Sequence, residues 1–242
     1  MITVVILNWM RPARVLENIA AYAQHPLVAQ VICFNNGAAL TLPAALAETA
    51  TLISASKDLG LYSRFAAASL ARTEAIFHTD DDLIVPPETL TKLHEAWRAA
   101  PDSCHGLQGR DVSNGYLAAE RWGRVEMVLT RAVMCSRAVN NRALDNSRLF
   151  DDLAGQPHGN GEDIILSFSA MQVSRELNYA HQWDYEDYAD CHGETPGPDA
   201  IGINKRWAGH YPHRERIVGR CRELWPDLLK KPRRFAGVRF FN

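Results

Sequence analysis

The sequence predicts an α/β fold: a mostly parallel central sheet with helices packed on both of its faces. Two observations carry this. Short apolar runs, the first of them rich in β-branched residues, recur through the first hundred residues, as buried parallel strands require. Stretches with apolar side chains at helical spacing separate them, and regular strand–helix alternation is the signature of a parallel sheet.

In chain order, Ile2–Leu7 is the first buried strand. Pro12 suits the first position of a helix to about Gln24, with Val15, Leu16, Ile19 and Tyr22 on one face. Gln30–Phe34 is a second strand, ended by the turn signal Asn35-Asn36-Gly37. Thr51–Ser54 is a short third strand, Leu61–Ala71 a helix, and Glu74–His78 a fourth strand running into Asp80-Asp81-Asp82. Pro86-Pro87 opens a helix to about Ala99, with Leu90, Leu93 and Trp97 sharing a face. Beyond Pro101 the alternation fades. Val125–Leu129 reads as strand, Asp163–Leu177 as a helix, Gly193–Gly202 as a loop and His213–Leu224 as a last helix.

Length and composition agree with one globular domain over 1–242, divided into a nucleotide-binding half (1–105) and an acceptor and catalytic half (106–242). With 242 residues, 47% of them hydrophobic, the chain can bury a sizeable core. A formal net charge of −2 offers no basic stripe for nucleic acid. The one basic run, Lys230, Lys231, Arg233 and Arg234, is either a solvated tail or a contact for an anionic acceptor or membrane surface. Five cysteines, an odd number and never as Cys-x-x-Cys, indicate neither a disulfide framework nor a zinc ribbon. They fit reduced thiols in a cytoplasm. Neither a leader nor an apolar run of membrane-spanning length is expected, so any membrane contact would be peripheral.

The sharpest chemical signal is Asp80-Asp81-Asp82 directly after a buried strand. Ligands of open α/β sheets gather at the carboxyl ends of strands. Three carboxylates repel one another unless a cation neutralises them, and a hard divalent ion shared with phosphate oxygens is the natural partner. An acidic turn before the next helix is the structural alternative. No Gly-x-Gly-x-x-Gly follows the first strand, which disfavours a dinucleotide site. Arg11 has the planar fork for a diphosphate or is a surface arginine. Asn35 and Asn36 either bond a base or ribose or only make the turn, and Lys57 and Arg64 either face phosphate or water. Gly159-Asn160-Gly161-Glu162-Asp163 sets two acids at a helix start, favoured by the dipole but also able to serve a sugar centre. His210-Tyr-Pro-His213-Arg214 follows Lys205-Arg206; it is a weak zinc candidate and a better anion contact. Cys191-His192 has no catalytic partner.

Together these blocks resemble the exostosin-type catalytic domain of glycosyltransferase family 64, in a stand-alone, bacterial-like version. The matching residues run nearly the whole chain: Asn8-x-x-Arg11, Asn35-Asn36, Arg64, His78-Thr-Asp80-Asp81-Asp82, Trp97-Arg-x-x-Pro101-Asp102 with Gly109-Arg110, Asn160-Gly161-Glu162-Asp163-Ile164, and Arg206 before His210-x-x-x-Arg214. The resemblance implies a GT-A fold and a retaining transfer from a nucleotide diphosphate sugar, such as UDP-GlcNAc or UDP-GalNAc, to a glycan or glycolipid. It implies Mn2+ or Mg2+ held by Asp82 together with Asp80. Asp80 and Asp81 are expected at the donor's ribose and sugar, and Asn8, Arg11, Asn36 and Arg64 at the nucleotide or diphosphate. Asp163, with Glu162 beside it, is expected beneath the anomeric centre, and Arg214 at the leaving phosphate. Gly37-Ala38 departs from the family pattern after the asparagine pair. The rival readings are a nucleotidyltransferase that makes sugar nucleotides, against which the absent Gly-rich turn argues, and a silent sugar-nucleotide-binding module.

Overall fold

A computed structural model of the protein describes residues 1–37, 39–154, 159–187 and 207–229. The elements are β1 (Ile2–Asn8), α1 (Pro12–Ala23), β2 (Val28–Asn35), α2 (Ala44–Ala47), β3 (Ala50–Ser54), α3 (Ser63–Ala68), β4 (Ala75–Asp80), β5 (Leu83–Ile84) and α4 (Pro87–Ala99). The second half adds β6 (His105–Gly106), β7 (Gly109–Asp111), β8 (Leu117–Arg121), β9 (Gly123–Val125), β10 (Met127–Val128), β11 (Ala132–Ser136) and α5 (Arg137–Ser147). After a 3-10 turn at Arg148–Phe150 come α6 (Asp151–Ala154), α7 (Glu162–Ser174), β12 (Asn178–Ala180), β13 (Glu186–Asp187) and α8 (His210–Leu224).

One sheet runs through both halves in the order β3-β2-β1-β4-β11-β6-β12-β9. β3, β2, β1 and β4 are all parallel, as the alternation predicts. Beyond them the sheet is mixed: β11 lies antiparallel between β4 and β6, β6 and β12 pair in parallel, and β9 runs antiparallel to β12. The central strand is buried on both sides, and its side chains divide by period two. Ile2, Val4 and Ile6 enter a core with α1 and α4, through Val15, Ile19, Leu90 and Leu93. Val5 and Leu7 enter a second core with Phe65 of α3, Val139 of α5 and Leu166 of α7. A third cluster joins α7 to α8 through Ile164, Phe168, Ile217 and Val218.

Several boundaries differ from expectation. The helix expected over 61–71 is shorter, Ser63–Ala68. The strand expected over 125–129 is broken at Glu126 into β9 and β10, which belong to different sheets. α8 begins at His210 rather than His213: Pro212 falls in its first turn, where the missing N–H is not needed. The registers Asn8↔Asn35 and Leu7↔Asp80 bring the carboxyl ends of β1, β2 and β4 to one edge, the crevice where ligands of such sheets bind. Among the described residues no helix is long and apolar enough to cross a membrane.

Candidate active site

The acidic turn is built from two sides. Asp80 is the last residue of β4, and Asp81 and Asp82 turn the chain into β5. Asn18, buried on α1, donates from Nδ2 to the backbone carbonyls of Asp81 at 3.2 Å and Leu83 at 3.3 Å, fixing the shape of the turn. At the end of β1 the chain reverses through Met10, whose φ of 65° is left-handed, a conformation that costs a non-glycine residue on the order of 1 kcal/mol. That reversal lets the Trp9 N–H (2.8 Å) and the Arg11 guanidinium (2.6 Å) both donate to the Asp81 carboxylate.

Each carboxylate of the turn meets a guanidinium. Arg64 donates to Asp80 at 2.6 Å, Arg11 to Asp81 at 2.6 Å, and Asp82 lies between Arg11 at 3.3 Å and Arg131 at 3.1 Å. This corrects the expectation that the triplet requires a metal ion for charge balance, since three arginines drawn from β1's end, α3 and the β10–β11 connection already supply it. Burial still dominates at Asp81, pushing its carboxyl up to about 7 against the pull of Arg11.

The second cluster sits at the start of α7. Gly161 has φ 108°, and a Cβ there would stand 2.2 Å from Ile217 Cδ1 of α8, so this turn requires glycine. It delivers Glu162 and Asp163 to the first turn of α7, both buried. Glu162 accepts from the Thr130 hydroxyl at 2.7 Å and lies 4.0 Å from Arg64; burial and neighbouring Asp163 push its carboxyl up to about 7. Arg214 of α8 donates to both oxygens of Asp163 at 2.7 Å and to Asn160 Oδ1 at 2.9 Å, with its guanidinium 4.5 Å over the Tyr116 ring. Asp163 raises the pKa of the Arg214 guanidinium despite burial.

Among the described residues His210 and His213 meet Asn160 and no further zinc ligand. His210 Nδ1 meets the Asn160 amide at 2.8 Å and His213 Nε2 meets the Asn160 carbonyl at 2.9 Å. Among the described residues no group of three or more His, Cys, Asp or Glu forms a metal cage. A small divalent ion, however, commonly takes only one or two carboxylates and completes its shell with substrate phosphates and water. Asp80 and Asp82, with side chains 26% and 13% exposed at the crevice, fit that partial donor set; Asp81, at 4%, does not.

Arg64 joins the two clusters, contacting Asp80 and Glu162, and is 1% exposed. It is a buried strut and not a surface cation. Asn8 and Asn36 are also buried. Asn8 donates to Asn35 Oδ1 at 2.7 Å, and Asn36 holds the loop after β3 through Asp58 (2.6 Å), Gly60 (3.3 Å) and the Leu59 N–H (2.7 Å). Lys57 is exposed and has no place in this cluster. Cys191, His192, the loop 193–202, Lys205, Arg206 and the basic run Lys230–Arg234 lie outside the described residues. Sequence reasoning missed Asn18, Tyr116, Thr130 and Arg131. For Thr130 and Arg131 a signal was present: polar residues directly after an apolar strand, as at Asp80 itself.

The glycosyl transferase family 64 domain matches residues 2–231. Glucosamine inositolphosphorylceramide transferase 1 of Arabidopsis thaliana is 24% identical over 224 residues, covering 89% of this chain and 29% of that protein. The chain thus spans under a third of that relative's length. Among solved structures, a mannosyltransferase from Pyrobaculum calidifontis in complex with GDP-Man and Mn2+ superposes with a TM-score of 0.52 at 16% identity, covering 90% of this chain and 68% of the other. GalNAc-T7 with UDP, GalNAc and Mn2+ gives 0.55 at 14% identity, covering 95% and 50%. These likenesses establish the GT-A fold. A parallel half ending in an acidic turn, a second acidic helix start and a match over nearly the whole length lead to one conclusion: the chain belongs to glycosyl transferase family 64 and carries that family's transferase domain.

Proposed function

We propose that this domain transfers a sugar, with retention at the anomeric carbon, from a UDP-sugar such as UDP-GlcNAc or UDP-GalNAc to a glycolipid or glycan acceptor, with Mn2+ or Mg2+ as cofactor. The observation that carries this reading is the Arg64 strut. It ties the end of β4, with its two partly exposed carboxylates, to the helix start that bears Asp163. A donor lying along the crevice would then have its diphosphate near Asp80, Asp82 and Arg11 and its sugar near Asp163. The ion, held by Asp82 and Asp80, would neutralise the diphosphate leaving group. Asp163, gripped by Arg214, serves the positively charged sugar centre as a stabilising carboxylate or transient nucleophile. Glu162 and Thr130 hold Arg64 and the helix start in place.

An amino-sugar donor and a glycolipid acceptor are supported by the name of the plant relative, and UDP by one of the two fold neighbours. Because the other neighbour holds GDP-Man, GDP-Man belongs in the assay. A glycolipid acceptor gives the basic run at 230–234 a role at a membrane surface. The buried free thiols of Cys33, Cys104, Cys135 and Cys221 support a reducing, cytoplasmic setting.

The test is incubation of the purified chain with UDP-GlcNAc, UDP-GalNAc or GDP-Man, Mn2+, and inositol-phosphate glycolipid acceptors. Product mass and anomeric configuration are then read by mass spectrometry and NMR. Transfer with retention is expected. Donors that raise the melting temperature but are neither transferred nor hydrolysed would point instead to a silent binding module.

A further inference from the structure

Arg131 lies on the connection between β10 and β11, directly across from the acidic turn. Its carbonyl accepts from the Asp80 N–H at 3.3 Å and the Thr79 hydroxyl at 3.0 Å. Its guanidinium forks onto Asp187, Nη1 to one oxygen at 2.8 Å and Nη2 to the other at 2.7 Å, and Nη2 also reaches Asp82 Oδ1 at 3.1 Å. Asp187 is in β13, whose register sets it opposite Leu83, the residue after Asp82. The other Asp82 oxygen faces Arg11 at 3.3 Å. Both oxygens of Asp82 are thus occupied by arginine.

A small divalent ion binds a carboxylate oxygen at about 2.1 Å, which on Asp82 would set it beside two guanidiniums, and repulsion between like charges favours the withdrawal of one of them. Arg131 is placed to do so, since its fork on Asp187 stays complete without Asp82 and the Asp82 contact is its longest. Charge sets the condition. Among the described residues, Arg11 and Arg131 both face Asp82, and Arg64 lies on the neighbouring Asp80. A dication on Asp82 alone would face the guanidiniums of Arg11 and Arg131, whereas one that arrives with a nucleoside diphosphate brings anionic oxygens that offset this repulsion and complete its shell.

We infer that Arg131 is a positioning residue that holds Asp82 while the crevice lacks donor and yields it to a divalent ion only when a nucleoside diphosphate comes with it. The inference rests on the proposed metal role of Asp82. It makes nucleotide and metal binding strongly coupled, with Arg131 as the residue that couples them.

The test is Mn2+ binding to the full chain, read from the EPR signal of the free ion, in wild type, Arg131→Gln and Arg131→Lys, with and without UDP. Without UDP, Arg131→Gln is expected to bind Mn2+ about tenfold more tightly than wild type. Arg131→Lys, which keeps the charge but loses the fork, falls between. With UDP the three converge. A misfolded site loses affinity, so a gain is a result that structural damage does not produce. Equal or weaker Mn2+ binding by Arg131→Gln without UDP, while UDP still draws Mn2+ onto wild type, overturns the inference and leaves the metal reading intact. Failure of every form to bind Mn2+ even with UDP overturns the metal reading and this inference together.

Discussion

Arg214 grips both oxygens of Asp163 from a position that is only 3% exposed, while its guanidinium covers the Tyr116 ring. Breaking such a buried pair from one side strands a charge, which costs about 3–5 kcal/mol. Arg214→Ala and Asp163→Ala are therefore each expected to lose about that much stability in urea unfolding. The double variant Asp163→Leu/Arg214→Met, with no charge left to strand, recovers most of it. Turnover separates the structural from the chemical role: all three variants are expected to lose about 100-fold or more in kcat. A double variant that regained activity along with stability would remove Asp163 from the chemistry.

Asn36 is a different case, because its amide is used within the protein. It donates to Asp58 and the Gly60 carbonyl and accepts from the Leu59 N–H. Asn36→Ala leaves these loop groups unpaired and is expected to cost about 1–3 kcal/mol, read as a lowered melting temperature. A direct contact with the nucleotide predicts the opposite pattern, an unchanged melting temperature with a raised KM for donor.

The parallel half of the fold and both acidic clusters were legible in the sequence for local reasons. Apolar runs such as Val4–Leu7 declare burial, and Asp80-Asp81-Asp82 and Glu162-Asp163 are contiguous. What was not legible depends on contacts far apart in the chain. That Arg64 is a strut follows from Asp80 and Glu162 meeting it from two elements, and no spacing announces this. Arg131 meets Asp187 across 56 positions. The three-arginine balance of the acidic turn was missed for the same reason: like charges adjacent in sequence are visible, whereas their partners come from other elements. Helix lengths erred where tertiary packing overrode propensity, as at Ser63–Ala68.

Asn18 shows how a helix face expected to be apolar can carry a structural polar group. Its side-chain amide reaches the carbonyls of Asp81 and Leu83 from within α1. Asn18→Leu keeps the volume and removes the donors, so the turn loses its tether. A loss of about 1–3 kcal/mol is expected, together with weaker Mn2+ binding in the presence of UDP. Unchanged Mn2+ affinity would show that the turn keeps its shape without Asn18.

A pH dependence is built into the sheet away from the site. His105 Nε2 meets the Ala100 carbonyl at 3.1 Å, so that nitrogen carries the proton and Nδ1 accepts from His181 Nε2 at 3.2 Å. His181 in turn stacks on Trp183 at 4.1 Å. Burial pushes both imidazoles down to about 4, and for His181 the neighbouring His105 adds to the effect. The unfolded chain takes up protons near 6.5, before the folded protein does. Stability from this pair is therefore complete above pH 6.5 and is lost as pH falls from there toward 4. The expected loss is on the order of 2 kcal/mol or more, a fall of roughly 5 °C in melting temperature for a domain of this size. His181→Phe keeps a ring against Trp183 and removes one titrating group, so its melting temperature should fall less steeply between pH 6.5 and 4. The comparison between the two proteins cancels the carboxylates and the histidines outside this pair, including His78. Parallel curves for wild type and His181→Phe would mean that His181 is protonated as readily in the folded protein as in the unfolded chain.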